Sequence, residues 1–152
     1  LLSSDWKFHH GGVIVHDCAA TSERYRELGF NIVVGPYTTP PKQPDNPMNS
    51  TVCFVEKGGI LLEIMQPLEG RWVIKEFLET VGEGINHLCF QVENIREEEK
   101  RMNDLGYHAV YGADVSLGTF RYFDTRKAMG NVIVELLELK QGVTIAGDAA
   151  PR

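Results

Sequence analysis

The stretch from His10 to Val33, HGGVIVHDCAATSERYRELGFNIV, is written a second time from His87 to Val110, HLCFQVENIREEEKRMNDLGYHAV. Laid on each other without a gap, His10 falls on His87, Val15 on Val92 and Asp17 on Asn94. Leu28-Gly29-Phe30 falls on Leu105-Gly106-Tyr107, and Val33 on Val110. Each copy closes on another shared phrase. GGILLEIM carries Glu63 and GNVIVELL carries Glu135, each Glu at the same place in its phrase. An internal repeat of this kind marks one supersecondary unit built twice. Every copy brings one His near its start and one Glu near its end. Two copies packed face to face therefore offer a full ligand set for one divalent metal: His10, Glu63, His87 and Glu135.

Working outward, residues 9–15 read as a strand, short and rich in Val and Ile. Ala19 to Leu28 reads as a helix, capped by Thr21, Ser22 or Asp17, with Gly29 where a glycine ends a helix. Phe30 to Val34 is a second strand. Residues 35–49, GPYTTPPKQPDNPMN, hold five of the seven prolines and read as a long loop, neither helix nor central strand. Thr51–Glu56 and Ile60–Gln66 form a hairpin about Lys57-Gly58-Gly59. The first copy is thus β-α-β-β-β. A linking helix is expected over about 71–80. The second copy repeats the order, with a strand at 86–92, a helix at 95–105, and strands at 107–111, near 119–124 and at 131–138. In that helix Ile95, Met102 and Leu105 are expected to face inward, and Glu97-Glu98-Glu99 reads as a solvated face. The fold class is α+β, two tandem βαβββ modules at about 8–68 and 85–139 in a single domain over 1–140, followed by a loose tail over 141–152.

Glu63 and Glu135 interrupt apolar runs, ILLEIM and VIVELL, where an unpaired carboxylate is costly by several kcal/mol. No Lys or Arg lies mid-strand beside either, and a shared cation answers both demands. Two imidazoles and two carboxylates leave the site neutral around a divalent ion. An ion that accepts six ligands keeps two positions open for substrate, as a catalytic site requires. His9, His16 and His108 have no match in the other copy and read as surface or packing residues. His9 replaces His10 only if the register slips by one, which strand alternation opposes.

The chain has 152 residues, enough for a real core, and 43% of them are apolar, which fits a globular protein. The formal net charge of −6, with signs mixed along the chain, argues against a nucleic-acid partner. Cys18, Cys53 and Cys89 are odd in number and lack CxxC spacing, so a reduced, cytoplasmic protein is expected. No apolar run is long enough for a membrane helix, and LLSSDWKF is too polar for a signal peptide.

The phrases HGGVIVHD, LLEIMQPL, GEGINHLCFQVENI and GNVIVELLE resemble the vicinal oxygen chelate superfamily over about residues 8–139. They are most similar to the methylmalonyl-CoA epimerases. The resemblance implies a curved mixed sheet of two modules around a metal-binding cup, and a homodimer. It implies one divalent ion (Co, Ni, Mn, Zn or Fe) held by His10, Glu63, His87 and Glu135. It also implies proton transfer next to a carbonyl of a small acid or acyl thioester through a stabilised enolate, with Glu135 as both ligand and base. The physical chemistry agrees, because a carbon acid needs a Lewis acid at its oxygen and a tuned base. One departure stands out. The epimerase pattern has a second catalytic Glu before the third strand, near Pro47 to Asn49 here, and no Glu is there. Asp45 is the nearest carboxylate and the candidate for that role. Arg121, Tyr37 and Tyr122 are candidates for substrate contacts. Other readings are a glyoxalase-like lyase, an Fe(II) extradiol-type dioxygenase, and a non-catalytic small-molecule binding protein of the same fold.

Overall fold

A computed structural model of the chain describes residues 5–41 and 45–144. The element order is β1 (Lys7–Ile14), α1 (Cys18–Glu27), β2 (Asn31–Thr38), β3 (Ser50–Lys57), β4 (Ile60–Pro67), α2 (Val73–Thr80), β5 (Gly84–Gln91), α3 (Ile95–Asp104), β6 (Ala109–Asp114), β7 (Gly118–Phe123) and β8 (Ile133–Leu139). This is β-α-β-β-β written twice with α2 between, the α+β arrangement expected from the repeat. Residues 145–152, most of the expected loose tail, lie outside the described residues. Among those described, no helix is long and apolar enough to cross a membrane.

The chain forms two compact units, one of residues 11–86 and one of residues 5–10 with 87–144. In the first, the strand order is β2-β3-β4-β1, with β1 parallel to β4 and the other neighbours antiparallel. In the second, the order is β1-β5-β8-β7-β6, with β5 parallel to β8 and antiparallel pairing from β8 to β6. The helix of each βαβββ module covers one face of its strands. Val15, Cys18, Cys53, Val55 and Ile64 close the core beneath α1. Val92, Ile95, Met102, Phe123, Val134 and Leu136 close the core beneath α3.

The repeat is visible atom by atom. Asp17 caps α1 by accepting from the Ala20 amide at 2.9 Å, and Asn94 caps α3 by accepting from the Glu97 amide at 3.2 Å. Of the three possible caps for α1, Asp17 makes the bond. Each helix ends the same way: the Phe30 amide donates to the Tyr25 carbonyl, and the Tyr107 amide to that of Met102. The β3–β4 hairpin turns on Gly58 and Gly59, both at positive φ, the two-residue geometry that matches strand twist.

Two expectations are corrected. First, β2 does not stop at Val34 but runs through Pro36 to Thr38, so the loop is shorter than residues 35–49. Proline is tolerated because β2 is an edge strand, and its register with β3 shifts between Ile32 and Val34 and again between Val34 and Tyr37. Gly35 allows this path: at φ +91°, a Cβ there would come within 2.5 Å of the Val52 carbonyl oxygen. Second, α3 faces inward through Ile95, Glu98 and Met102, while Leu105 is 57% exposed. Leu105 is the C-cap, beyond the last inward turn. Glu98, expected in a solvated run, is only 4% exposed and pairs with Arg101 one turn on.

These assignments fix an order of stability effects. Ile64→Ala is expected to lower unfolding free energy by about 2–5 kcal/mol through lost packing beneath α1. Asp17→Ala should cost about 1 kcal/mol through the lost cap. Leu28→Ala, at an exposed helix end, should stay within about 0.5 kcal/mol. Urea unfolding followed by far-UV dichroism checks that ranking.

Candidate metal centre

Parallel ladders place the two Glu residues. In the second module Cys89 lies opposite Glu135, and in the first Gly12 lies opposite Glu63. Cys89 and Gly12 are themselves matched positions of the repeat. Each His stands two residues earlier on its strand, so the two-residue period of a strand aims it to the same side as the ladder position beyond it. On β8, Val134 and Leu136 point into the core under α3, which turns Glu135 to the other face. The start of β8 is pinned by Thr125, whose hydroxyl donates to the Val132 carbonyl and accepts from the Val134 amide.

Within the unit of residues 5–10 and 87–144, His10, His87 and Glu135 converge. Glu135 Oε2 lies 3.4 Å from His10 Nε2 and 3.5 Å from His87 Nε2. Their side chains are 7%, 4% and 0% exposed, in the order Glu135, His10, His87. The imidazole rings meet edge to face at 5.6 Å and 84°. These spacings fit an ion. Metal–nitrogen and metal–oxygen bonds of about 2.1 Å put neighbouring ligand atoms about 3.0–3.4 Å apart. A direct charge-assisted hydrogen bond would be shorter, about 2.7–2.9 Å. Two borderline nitrogens and a hard oxygen suit a first-row divalent metal.

Aromatic rings wall the same face. Tyr122, opposite Glu135 on β7, meets the His87 ring at 5.1 Å and is almost wholly buried. Tyr111 on β6 stacks on Tyr122 at 5.6 Å and 28°. Burial, and then the negative charge of Glu135, push the Tyr111 phenol up to about 12. Tyr111 was not among the sequence candidates. The available signal was its strand register, since Tyr111 pairs with Tyr122 across β6 and β7.

The other candidates divide. Glu63 is partly buried on β4, opposite Phe54 as well as Gly12, in the unit of residues 11–86. Its charge, after burial, raises the Tyr37 phenol, which places Tyr37 on the Glu63 side although it is 44% exposed. Asp45 is exposed in a bend of the Pro-rich loop. Arg121 does not join the aromatic wall. It sits on the α3 side of β7, in register with Leu136, with its guanidinium near Glu99 at 3.7 Å and Asp114 at 3.3 Å. Alternation puts Arg121 and Phe123 on one face and Tyr122 on the other. The three cysteines are buried, and burial pushes the Cys18 thiol up to about 11. His9, expected to be an ordinary surface or packing residue, is buried, and its Nδ1 lies 2.7 Å from His10 Nδ1.

Comparison with known proteins gives the family and the fold. The model of the Glyoxalase/Bleomycin resistance protein/Dioxygenase superfamily matches residues 9–123, and the chain belongs to that superfamily. An ethylmalonyl-CoA/methylmalonyl-CoA epimerase of Cereibacter sphaeroides is 27% identical over 114 residues, 74% of this chain and 80% of that protein. Among solved structures, a hypothetical protein from Bacillus halodurans shares the fold with a TM-score of 0.70 at 20% identity, over 93% of this chain and 100% of that one. The methylmalonyl-CoA epimerase of Mycobacterium tuberculosis shares it with a TM-score of 0.68 at 23% identity, over 92% and 93%.

The raised Tyr111 phenol carries a sign. An unfolded tyrosine ionises near pH 10, so the stability tied to neutral Tyr111 is fully present below that pH. It is lost as pH rises toward about 12. In a spectrophotometric titration of the tyrosinate band, Tyr111 should contribute a step near pH 12. That step should vanish in Tyr111→Phe.

Proposed function

We propose that the protein is a divalent-metal-dependent isomerase of the epimerase type, moving a proton next to the carbonyl of a small carboxylic acid or acyl thioester. The observation that carries this reading is the buried Glu135 carboxylate poised between the Nε2 atoms of His10 and His87. The likeness to the Cereibacter sphaeroides epimerase supports the thioester class. His10, His87 and Glu135 would hold the ion; Glu63 is the residue that the repeat matches to Glu135. The ion supplies a Lewis acid that stabilises negative charge on the substrate carbonyl oxygen.

Glu135 then has a second role. It accepts the proton as the α-carbon–hydrogen bond breaks, and the electron pair moves toward the carbonyl oxygen. Inversion follows when a proton returns to the opposite face of that carbon. Asp45 is the carboxylate that the Pro-rich loop offers for this return. Tyr111 stays protonated at working pH and presents a neutral phenol beside Glu135, so no second negative charge opposes substrate binding there. Tyr122, almost wholly buried, backs the His87 ring. Arg121, engaged by Glu99 and Asp114, is left out of this assignment.

A second reading has a specific observation behind it. His10, His87 and Glu135 are two imidazoles and one carboxylate, the donor types that Fe(II) oxygenases use. Oxygen consumption with a catechol and ferrous ion would mark that chemistry.

The proposal is tested with cobalt- or manganese-loaded protein and methylmalonyl-CoA in deuterium oxide. Wild type should exchange the α-hydrogen and racemise a single epimer, both seen by proton NMR. Glu135→Gln should lose at least about 100-fold in exchange, the usual contribution of a general base. Asp45→Asn should keep exchange and lose inversion. Absence of exchange in loaded wild type, with oxygen uptake on a catechol, would replace the isomerase reading with the dioxygenase one.

A further inference from the structure

His9 has no counterpart in the second module, where Asn86 stands at the matched position. A strand residue beside a metal ligand ordinarily points to the opposite face. Here both rings are buried, their centroids are 5.0 Å apart at 78°, and the two Nδ1 atoms approach to 2.7 Å. At that distance one nitrogen must carry a proton and the other a lone pair.

With Cys89, the pair also forms a compact group of possible metal-binding atoms. The 2.7 Å separation decides against a shared ion bound through both Nδ1 atoms, since such ligands would stand about 3.0–3.4 Å apart. A hydrogen bond fits that distance.

We infer that His9 is a positioning residue for His10: its Nδ1 accepts the Nδ1–H of His10, fixing the tautomer and ring angle that turn the His10 Nε2 lone pair toward Glu135. This rests on the metal centre proposed above. The proton assignment follows from the contacts of the two His10 ring nitrogens with Glu135 and His9. Its Nε2 faces Glu135 Oε2 at 3.4 Å, the atom pair a shared ion would use, so its proton belongs on Nδ1. A ligating histidine held through its other nitrogen is a more basic and better oriented ligand, and loss of such a partner typically costs 10–100-fold in metal affinity. The usual partner is a carboxylate, a carbonyl or water. A neutral imidazole does the same work here without adding charge to the centre. At the matched position before His87 the second module carries Asn86 instead of a histidine.

The test uses the whole chain, with three readouts on wild type, His9→Phe and His9→Asn. Long-range proton–nitrogen NMR of the metal-free protein reads the His10 tautomer. Cobalt affinity is measured by competition with a chelator. Thermal unfolding without metal reports structural damage. Wild type should show His10 protonated on Nδ1. His9→Phe should release that tautomer and bind cobalt about 10–100-fold more weakly. His9→Asn, whose amide oxygen can accept the same bond, should recover most of the affinity. An Nε2-protonated His10 in wild type would overturn the inference, as would wild-type cobalt affinity in His9→Phe. A weakened affinity in both variants matched by an equal fall in unfolding temperature would also overturn it, as mere structural damage. If wild type binds no cobalt while the tautomer is as stated, the metal centre fails and the His9–His10 bond stands.

Discussion

A carboxylate that is 7% exposed, standing between two buried imidazole nitrogens at 3.4 and 3.5 Å, is the constraint on which the rest of this fold turns. Removing Glu135 from water costs several kcal/mol unless something cationic meets it. The spacing is too long for a strong hydrogen bond and suits two edges of a ligand polyhedron. No local sequence preference brings these three groups together. The β5–β8 ladder does so for His87 and Glu135, and the start of β1 adds His10. The core under α3 holds that ladder by burying the alternate residues Val134 and Leu136. A one-residue slip of β8 would exchange Glu135 with a core residue, so the packing that stabilises the strand also fixes the site.

The duplicated module explains why so few residue types suffice. Each copy solves the same problem: a capped helix over a short sheet, a parallel ladder, a Glu on the face away from the helix. Asp17 and Asn94 start the helices alike, and Gly29 and Gly106 end them at nearly equal positive φ. The copies differ at a few positions around these residues. The first has Gly12 where the second has Cys89, and it has His9 beside its histidine where the second has Asn86. The second has the Tyr111–Tyr122 stack near Glu135, while the first places Phe54 opposite its Glu63.

Much of this was legible in the chain. Element types and order follow from apolar period and from glycine and proline punctuation, and the repeat doubles the weight of each signal. The four candidate ligands stood out because an acid inside VIVELL or ILLEIM needs a partner. What could not be read depends on position in the sheet. Pro36 looked like the start of a loop because the residues do not say that β2 is an edge, where a missing amide proton costs little. Glu98 looked solvated because helical spacing alone does not show Arg101 folding back over it. Arg121 and Tyr122 are neighbours, and only the register of β7 against β8 shows which one faces Glu135. His9 and His10 are neighbours that alternation sends to opposite faces, so no argument from period shows their contact.

Anomalous scattering from crystals grown with manganese tests the central claim most directly. One strong peak is expected within about 2.0–2.3 Å of His10 Nε2, His87 Nε2 and a Glu135 oxygen. A peak on other residues, or none at a manganese concentration that saturates the protein in solution, would contradict it.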